Sequence, residues 1–543
     1  VYPPVVTLDL YSQMIGAFED KYGAAKAEAD RAETQAGIAC AAADRAEQAG
    51  GGGGINSGAF LELLEAVGLR GASVFPVLDG WEFSKANAAE TETVSLPHTC
   101  NADDGKSAAM YFGETVYERN ISLAKQDLQG NLYLLVEYAG QKCDVYVNGN
   151  LAASHAGGYT PFTVRLNPYA VPDSNRLRIV CGNTLDFDII PVSGDFNRCN
   201  GLYGGVYIAK CGAISFTPDG YGPDRIKLTQ VSAGAERADL RIQGHILGVR
   251  GAETECGLAV TVSGPDGEKV RETVRCTVPP EGLDFDRTVS VLSPVLWQGV
   301  ENPHLYTAAV SIEQSGAVLD RAECKTGFRT FQLDAEKGFL LNGMEYPLRG
   351  FAMHQDGPGT AIARTAEQID QDLEAVMDCG CNFLRLAHYP HSGYMLRRCD
   401  ELGIIVQTEI PWVNHCGTKA SDAYFANIRT AMQEMIQKTQ NHPSVVFLGM
   451  SNELNGSHLP SGTADQQGAF DYPLALSKSR ELYSYAKGLA PDRLIGLSTH
   501  DNTFLGQTAK IKEWSFTDWI GTNQYKGWYG GKFDDFGNKL DSY

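Results

Sequence analysis

No stretch of the chain approaches the ~18 consecutive apolar residues of a membrane-spanning helix, so no such helix is expected and a membrane is not among the expected partners. Positive charge is also scarce. The 45 Lys and Arg face 66 Asp and Glu, a formal net charge of −21, which argues against nucleic acid or an anionic surface as partner. The 13 cysteines never show C-x-x-C spacing, and Cys379 and Cys381 are the closest two. Reduced thiols are therefore expected rather than a disulfide framework, with no zinc site. The opening residues, Val1 to Gln13, lack a basic region followed by an apolar core. No signal peptide is visible, and the expected location is cytoplasmic. The chain does not begin with Met, so its natural start can lie upstream. What remains is globular in composition, 43% hydrophobic and 20% charged. A length of 543 residues is too great for one core and implies three or more domains.

Residues 12–49 are Ala-rich and charged. Ala29-Asp-Arg-Ala-Glu33 returns as Ala43-Asp-Arg-Ala-Glu47, two heptads later. This pattern suits a thin helix pairing with a copy of itself, or equally a solvated single helix. Gly50 to Gly54 reads as a flexible linker. The helical appendage and linker are assigned to 1–70. Residues 71–218 hold short alternating runs between turn signals, such as Asn131 to Tyr138 and Cys143 to Val147, the latter closed by Asn148-Gly149. That spacing predicts an antiparallel sandwich. Residues 219–331 give further alternating strands, for example Ala238 to Ile242 and Leu258 to Val262, of a length suited to an immunoglobulin-like sandwich.

From 332 to 543 strands and helices alternate. Strands are expected at 346–351, 382–386, 404–409, 444–450, 494–497 and 519–522, and helices at 366–378, 393–402, 422–440 and 474–489. Such alternation predicts parallel βα units. The chemistry collects around Asn441 to Asn455. Asn441-His-Pro443 ends a helix, because Pro cannot continue it. Ser444 to Met450 is apolar without alternation, as in a strand buried on both faces. Polar residues then arrive together: Ser451, Asn452, Glu453 and Asn455. Glu453, at the mouth of an apolar core, suits a proton donor, since partial desolvation raises a carboxyl pKa. The alternative is a helix cap or a solvated loop acid.

Asn441-His-Pro-Ser-Val-Val446 with Ser451-Asn-Glu453 resembles the acid/base segment of glycoside hydrolase family 2, the β-galactosidase and β-glucuronidase group. The resemblance runs over roughly 70–543. It takes in Asp79-Gly-Trp-Glu-Phe83, Leu96-Pro-His-Thr99, Gly158-Tyr-Thr-Pro-Phe162, Glu301-Asn-Pro-His-Leu-Tyr306 and Gly327-Phe-Arg-Thr-Phe331. It implies a sugar-binding jelly-roll domain, an immunoglobulin-like sandwich and a TIM barrel, in which strand ends carry the chemistry. By the resemblance, Glu453 protonates the glycosidic oxygen and Asn452 holds the sugar 2-hydroxyl. Asp195, His354, Arg385, His388, Tyr525 and Tyr529 bind sugar or orient carboxylates. Asp195 lies on the Asp195 to Tyr207 loop that in the family crosses into the active site. Without the resemblance it would read as a turn residue beside a glycine cluster.

Two departures stand out. Only six strands follow residue 332, where a TIM barrel has eight. The retaining mechanism also needs a second carboxylate about 5–5.5 Å from the first, which in relatives ends the seventh strand. The expectation is thus a C-terminally truncated chain with an incomplete barrel, inactive by itself, with Glu409 a poor substitute nucleophile. Second, some family members hold Mg²⁺ through a Glu and a His after the third strand. Here His415 is kept but Val413 stands in place of the Glu, so no metal site and no cofactor are expected. The activity implied is a retaining exo-β-glycosidase acting on carbohydrate, β-galactosidase first and β-glucuronidase as alternative, with a homo-oligomer possible. The rival is a non-catalytic carbohydrate-binding or structural protein.

Overall fold

Alternation of apolar and polar residues sets up the first domain. In Glu114–Leu123 the buried positions recur every second residue, as they must when one face of a strand is dry. A computed structural model of the chain describes residues 73–535, apart from 87, 89, 103, 105–109, 195, 221, 223, 456–465, 501–511, 526–530 and 533. The Ala-rich appendage, the glycine linker, Asp195 and Tyr529 lie outside the described residues.

A four-stranded sheet (Ser73–Pro76, Val206–Cys211, Asn131–Val136, Phe162–Arg165) faces a six-stranded one. The second sheet runs Glu92–Val94, Trp81–Lys85, Glu114–Leu123, Asp173–Gly182, Lys142–Val147, Asn150–Ala156. Trp81, Phe83, Tyr117, Leu134, Val145 and Ile179 fill the space between them. Asn131–Val136 is buried throughout because its other face, Tyr133 and Leu135, packs beneath a smaller cluster reaching Leu247 of the next domain. Asn148 and Gly149 turn the predicted hairpin with φ of 51° and 82°, the backbone a two-residue hairpin loop requires.

The second sandwich joins a sheet of Ser215–Phe216, Arg237–Leu247, Lys227–Ala233 and Leu283–Leu292 to one ordered Gly267–Val278, Thr254–Gly264, Tyr306–Gln314, Ala317–Thr326. Ile242, Val260, Val289 and Val310 form its core.

Beyond it lie six parallel strands in sequential order: β1 (Gly350–Met353), β2 (Phe383–Leu386), β3 (Ile405–Glu409), β4 (Val445–Asn452), β5 (Leu494–His500) and β6 (Trp519–Asn523). Helices α1 (Ala366–Asp378), α2 (Gly393–Leu402), α3 (Asp422–Thr439) and α4 (Tyr472–Leu489) connect β1 through β5. Thr365 and Gln368 cap α1 reciprocally, the Thr-x-x-Gln form of a capping box.

Several expected strand boundaries shift, most at the start of β1 and at the ends of β4 and of β5, which runs to His500 rather than Leu497. β1 begins at Gly350 rather than Tyr346. The Tyr346 N–H is spent on the Phe339 carbonyl in a preceding hairpin, and Pro347 has no N–H to give a ladder. β4 runs two residues further than expected, so Ser451 and Asn452 belong to the strand itself.

Candidate active site

Parallel strands separated by helices leave their C-terminal ends facing one rim, and polar residues crowd there. β2 supplies Arg385, with His388 just past its end. β3 ends on Glu409, β4 on Asn452, and β6 on Asn523. Glu453 and Tyr525 follow directly.

Glu409 is fully buried, and both its oxygens are taken. Arg385 donates from Nη2 to Oε1 at 3.0 Å and from Nε to Oε2 at 3.1 Å. His388 Nδ1 lies 2.5 Å from Oε1, and Gln407 Nε2 donates to Oε2 at 3.1 Å. Burial alone pushes this carboxyl up. The Arg385 charge and the His388 contact overcome it and hold the group at about 2. An anion so enclosed has no lone pair free to attack a sugar carbon. It fixes His388 instead, whose Nδ1 donates to the carboxylate.

Arg385 extends the network. Nη1 donates to Asn523 Oδ1 and Nη2 to Asn452 Oδ1, both at 2.8 Å. Asn523 Nδ2 reaches Asn452 Oδ1 at 3.0 Å and Glu453 Oε1 at 2.6 Å. Among the described residues the side-chain bonds of Asn452 both land on Oδ1, so its amide nitrogen remains a donor. Tyr525 also donates to Glu453 Oε1. Burial and that contact raise the Tyr525 phenol, so it stays a donor. Both of these donors fall on Oε1.

Glu453 is 5% exposed and adopts φ of 50°, a left-handed backbone that costs a non-glycine residue about 1–3 kcal/mol. Its N–H donates to the Ser498 carbonyl at 2.9 Å, and Asn452 N–H to that of Trp412 at 3.0 Å. These bonds hold the turn that aims the carboxyl along the rim.

Five predicted residues therefore form one hydrogen-bonded set: Arg385, His388, Asn452, Glu453 and Tyr525. His354 joins by ring contact, 5.3 Å from His388 and 5.5 Å from Phe196. Asp195 and Tyr529 fall outside the described residues, although Phe196, next to Asp195, packs against His354, His388 and Tyr389. Sequence reasoning gave no role to Asn523, Gln407 or Phe196. Asn523 had a usable signal, a polar residue closing an apolar strand, and Gln407 shares a strand face with Glu409. Phe196 had none. Among the described residues no group of three His, Cys, Asp or Glu could hold a metal ion, and Val413 is buried in a backbone bridge with Asn452.

Residues 334–535 match the model of glycosyl hydrolases family 2, TIM barrel domain, and residues 224–329 match that of glycosyl hydrolases family 2. The chain belongs to glycoside hydrolase family 2. Within that family it is 28% identical to a Bacteroides fragilis β-glucuronidase over 462 residues, 83% of this chain and 63% of that relative. A Bacteroides ovatus β-galactosidase is 26% identical over 398 residues, 70% of this chain and 45% of that relative. The solved structure of a Bacteroides uniformis β-glucuronidase superposes with a TM-score of 0.78 at 27% identity, covering 86% of this chain and 57% of that one. The chain thus spans roughly half to two thirds of the length of these family members.

Proposed function

We propose that this rim is the proton-donating half of a retaining exo-β-glycosidase site, which removes a terminal β-linked sugar. The observation that carries the reading is Glu453, buried at the strand end, with Oε1 pinned by Asn523 and Tyr525 and no such bond on Oε2 among the described residues. A donor in that state protonates the departing glycosidic oxygen, and the resulting carboxylate then activates the water that releases the sugar. The Asn452 amide nitrogen donates to a sugar hydroxyl. His354 and His388 bind the sugar or orient carboxylates, a role the family resemblance also gives to Asp195 and Tyr529. Glu409 is not the nucleophile in this reading. It serves as the buried counter-ion that orients Arg385 and His388.

For the sugar, relatives named β-glucuronidase shift the preference from galactose to glucuronic acid. Arg385 has four of its five N–H groups spent on Glu409, Asn452 and Asn523, which leaves no two-pronged face for a sugar carboxylate. The preference therefore rests on the relatives. A purely binding protein would need hydroxyl partners but no proton donor held by this pair of bonds.

Paired assays of the full-length protein on aryl β-glucuronide and aryl β-galactoside test the sugar, and Glu453→Ala tests the chemistry. Loss of the acid should cost about 10²–10⁴ in kcat/KM on alkyl aglycones. It should cost far less on nitrophenyl aglycones, which leave without protonation. Equal losses on both would make Glu453 structural, and no turnover of either sugar by the wild type would remove the glycosidase reading.

A further inference from the structure

Outside the rim, the second sandwich carries two thiols in an unusual relation. Cys256 and Cys276 stand directly opposite each other on adjacent antiparallel strands, Thr254–Gly264 and Gly267–Val278. Their sulfurs are 3.5 Å apart. Gly267–Val278 is the edge strand of its sheet. Cys256 is buried against the sandwich core, whereas Cys276 is partly exposed.

A second pair provides the contrast. Cys143 and Cys181 are also cross-strand partners, but at 1% and 0% exposure they are closed inside the first sandwich. An oxidant reaches one pair and not the other.

We propose that Cys256 and Cys276 are a reversible thiol–disulfide site, oxidised by low-molecular-weight disulfides. The Cys276 thiolate attacks one sulfur of the reagent, RSSR, and expels RS⁻, leaving a mixed disulfide. Cys256 then loses its proton and attacks the Cys276 sulfur, expelling a second RS⁻. Two protein thiols give up two electrons and two protons, and RSSR becomes two RSH. Burial and the neighbouring sulfur push the Cys256 thiol up to about 12, so the partly exposed Cys276 makes the first attack and Cys256 resolves it.

The geometry also makes the bond easy to reverse. Bonding requires the sulfurs to close by about 1.5 Å. Opposed residues on paired strands hold their Cβ atoms about 4.5–5.5 Å apart, wider than the ~3.8 Å a relaxed disulfide prefers. The bond therefore draws the edge strand inward under strain, and strained disulfides are the reducible ones. Oxidation would staple the outermost strand of the sheet to its neighbour.

The test equilibrates the native full chain with oxidised and reduced glutathione over a range of ratios, quenches it, and alkylates the remaining thiols after unfolding. Non-reducing peptide mapping should find one linkage, Cys256 to Cys276, with two of the 13 cysteines lost to alkylation and recovered with dithiothreitol. Cys143 and Cys181 should remain alkylatable. Cys256→Ser should trap glutathione on Cys276 as a stable mixed disulfide, and Cys276→Ser should leave Cys256 unmodified. No linkage at any ratio, a different pair linking first, or glutathione appearing on Cys256 in the Cys276→Ser variant would each overturn the proposal.

Discussion

The Glu409–Arg385 pair shows how a charge can be buried and still be an asset. Each partner alone would cost several kcal/mol of lost hydration, and only geometry this complete offsets it. Glu409→Gln keeps the shape but leaves Arg385 facing an amide, so the variant should lose about 3–5 kcal/mol of stability, read as a lowered urea midpoint. The same pair fixes a pH window. The Glu409 carboxyl titrates near 4.5 when free and at about 2 in the folded protein. Its stabilising contribution is therefore complete above 4.5 and disappears as pH falls from 4.5 through 2. At roughly 1.4 kcal/mol per pKa unit this is about 3 kcal/mol. Acid unfolding followed by circular dichroism should show that slope in the wild type and a shallower one in Glu409→Gln. Parallel slopes would mean the pair does not hold the carboxyl down.

At the scale of elements, what was legible was whatever a period or an interruption marks. The unbroken apolar run before Ser451 gave β4, and the polar residues at its end gave Asn452 and Glu453. Helices α1 and α2 were legible to the residue because a capping Thr or Ser opens each and apolar spacing fills it. The start of β1 was not legible, since Tyr346 looks like a strand residue until a hairpin partner, remote from any local pattern, takes its N–H. Asn523 closes a strand as a polar residue, but its hold on Glu453 depends on two strands whose spacing only the sheet determines. Phe196 lay beyond reach altogether. It comes from the first sandwich, and although the resemblance carries its loop into the active site, no local pattern says that this ring meets two histidines of the barrel. Phe196→Ala should loosen His354 and His388 together. With aromatic contacts worth about 0.5–1.5 kcal/mol, kcat/KM should fall roughly two- to tenfold with little change in melting temperature. A fall in stability with unchanged kinetics would make the ring a packing residue only.

Across the whole molecule, the first sandwich and the barrel meet over an apolar cluster flanked by polar bonds, and a lysine is buried beside it. Tyr138, Tyr159 and Tyr203 of the sandwich cluster with Ile362, Ala363 and Tyr389 of the barrel, and the Gly393 N–H donates to the Tyr138 hydroxyl at 2.8 Å. Lys438 of α3 is 7% exposed. Its ammonium lies 4.4 Å over the Tyr138 ring and donates to the Tyr159 carbonyl at 3.3 Å. Burial pushes Lys438 down to about 7, against the opposing pull of Glu137. The ordinary value is 10.5, so between 7 and 10.5 the unfolded chain binds a proton that the folded chain does not. In that window stability rises with pH, and below 7 the cost of the buried ammonium is present in full. Lys438→Met keeps the length of the side chain and removes the charge. Removing a buried charge that has no ion-pair partner among the described residues relieves its desolvation cost, so the variant should melt higher than the wild type at pH 7. The gap should close as the pH approaches 10, where the wild-type lysine is neutral in the fold. Glu137 is the control. Burial already raises its carboxyl, and a variant that melts lower at pH 7 would show that Glu137 depends on the ammonium more than the ammonium costs the interface. Melting curves of both proteins at pH 7 and pH 10 distinguish the two outcomes.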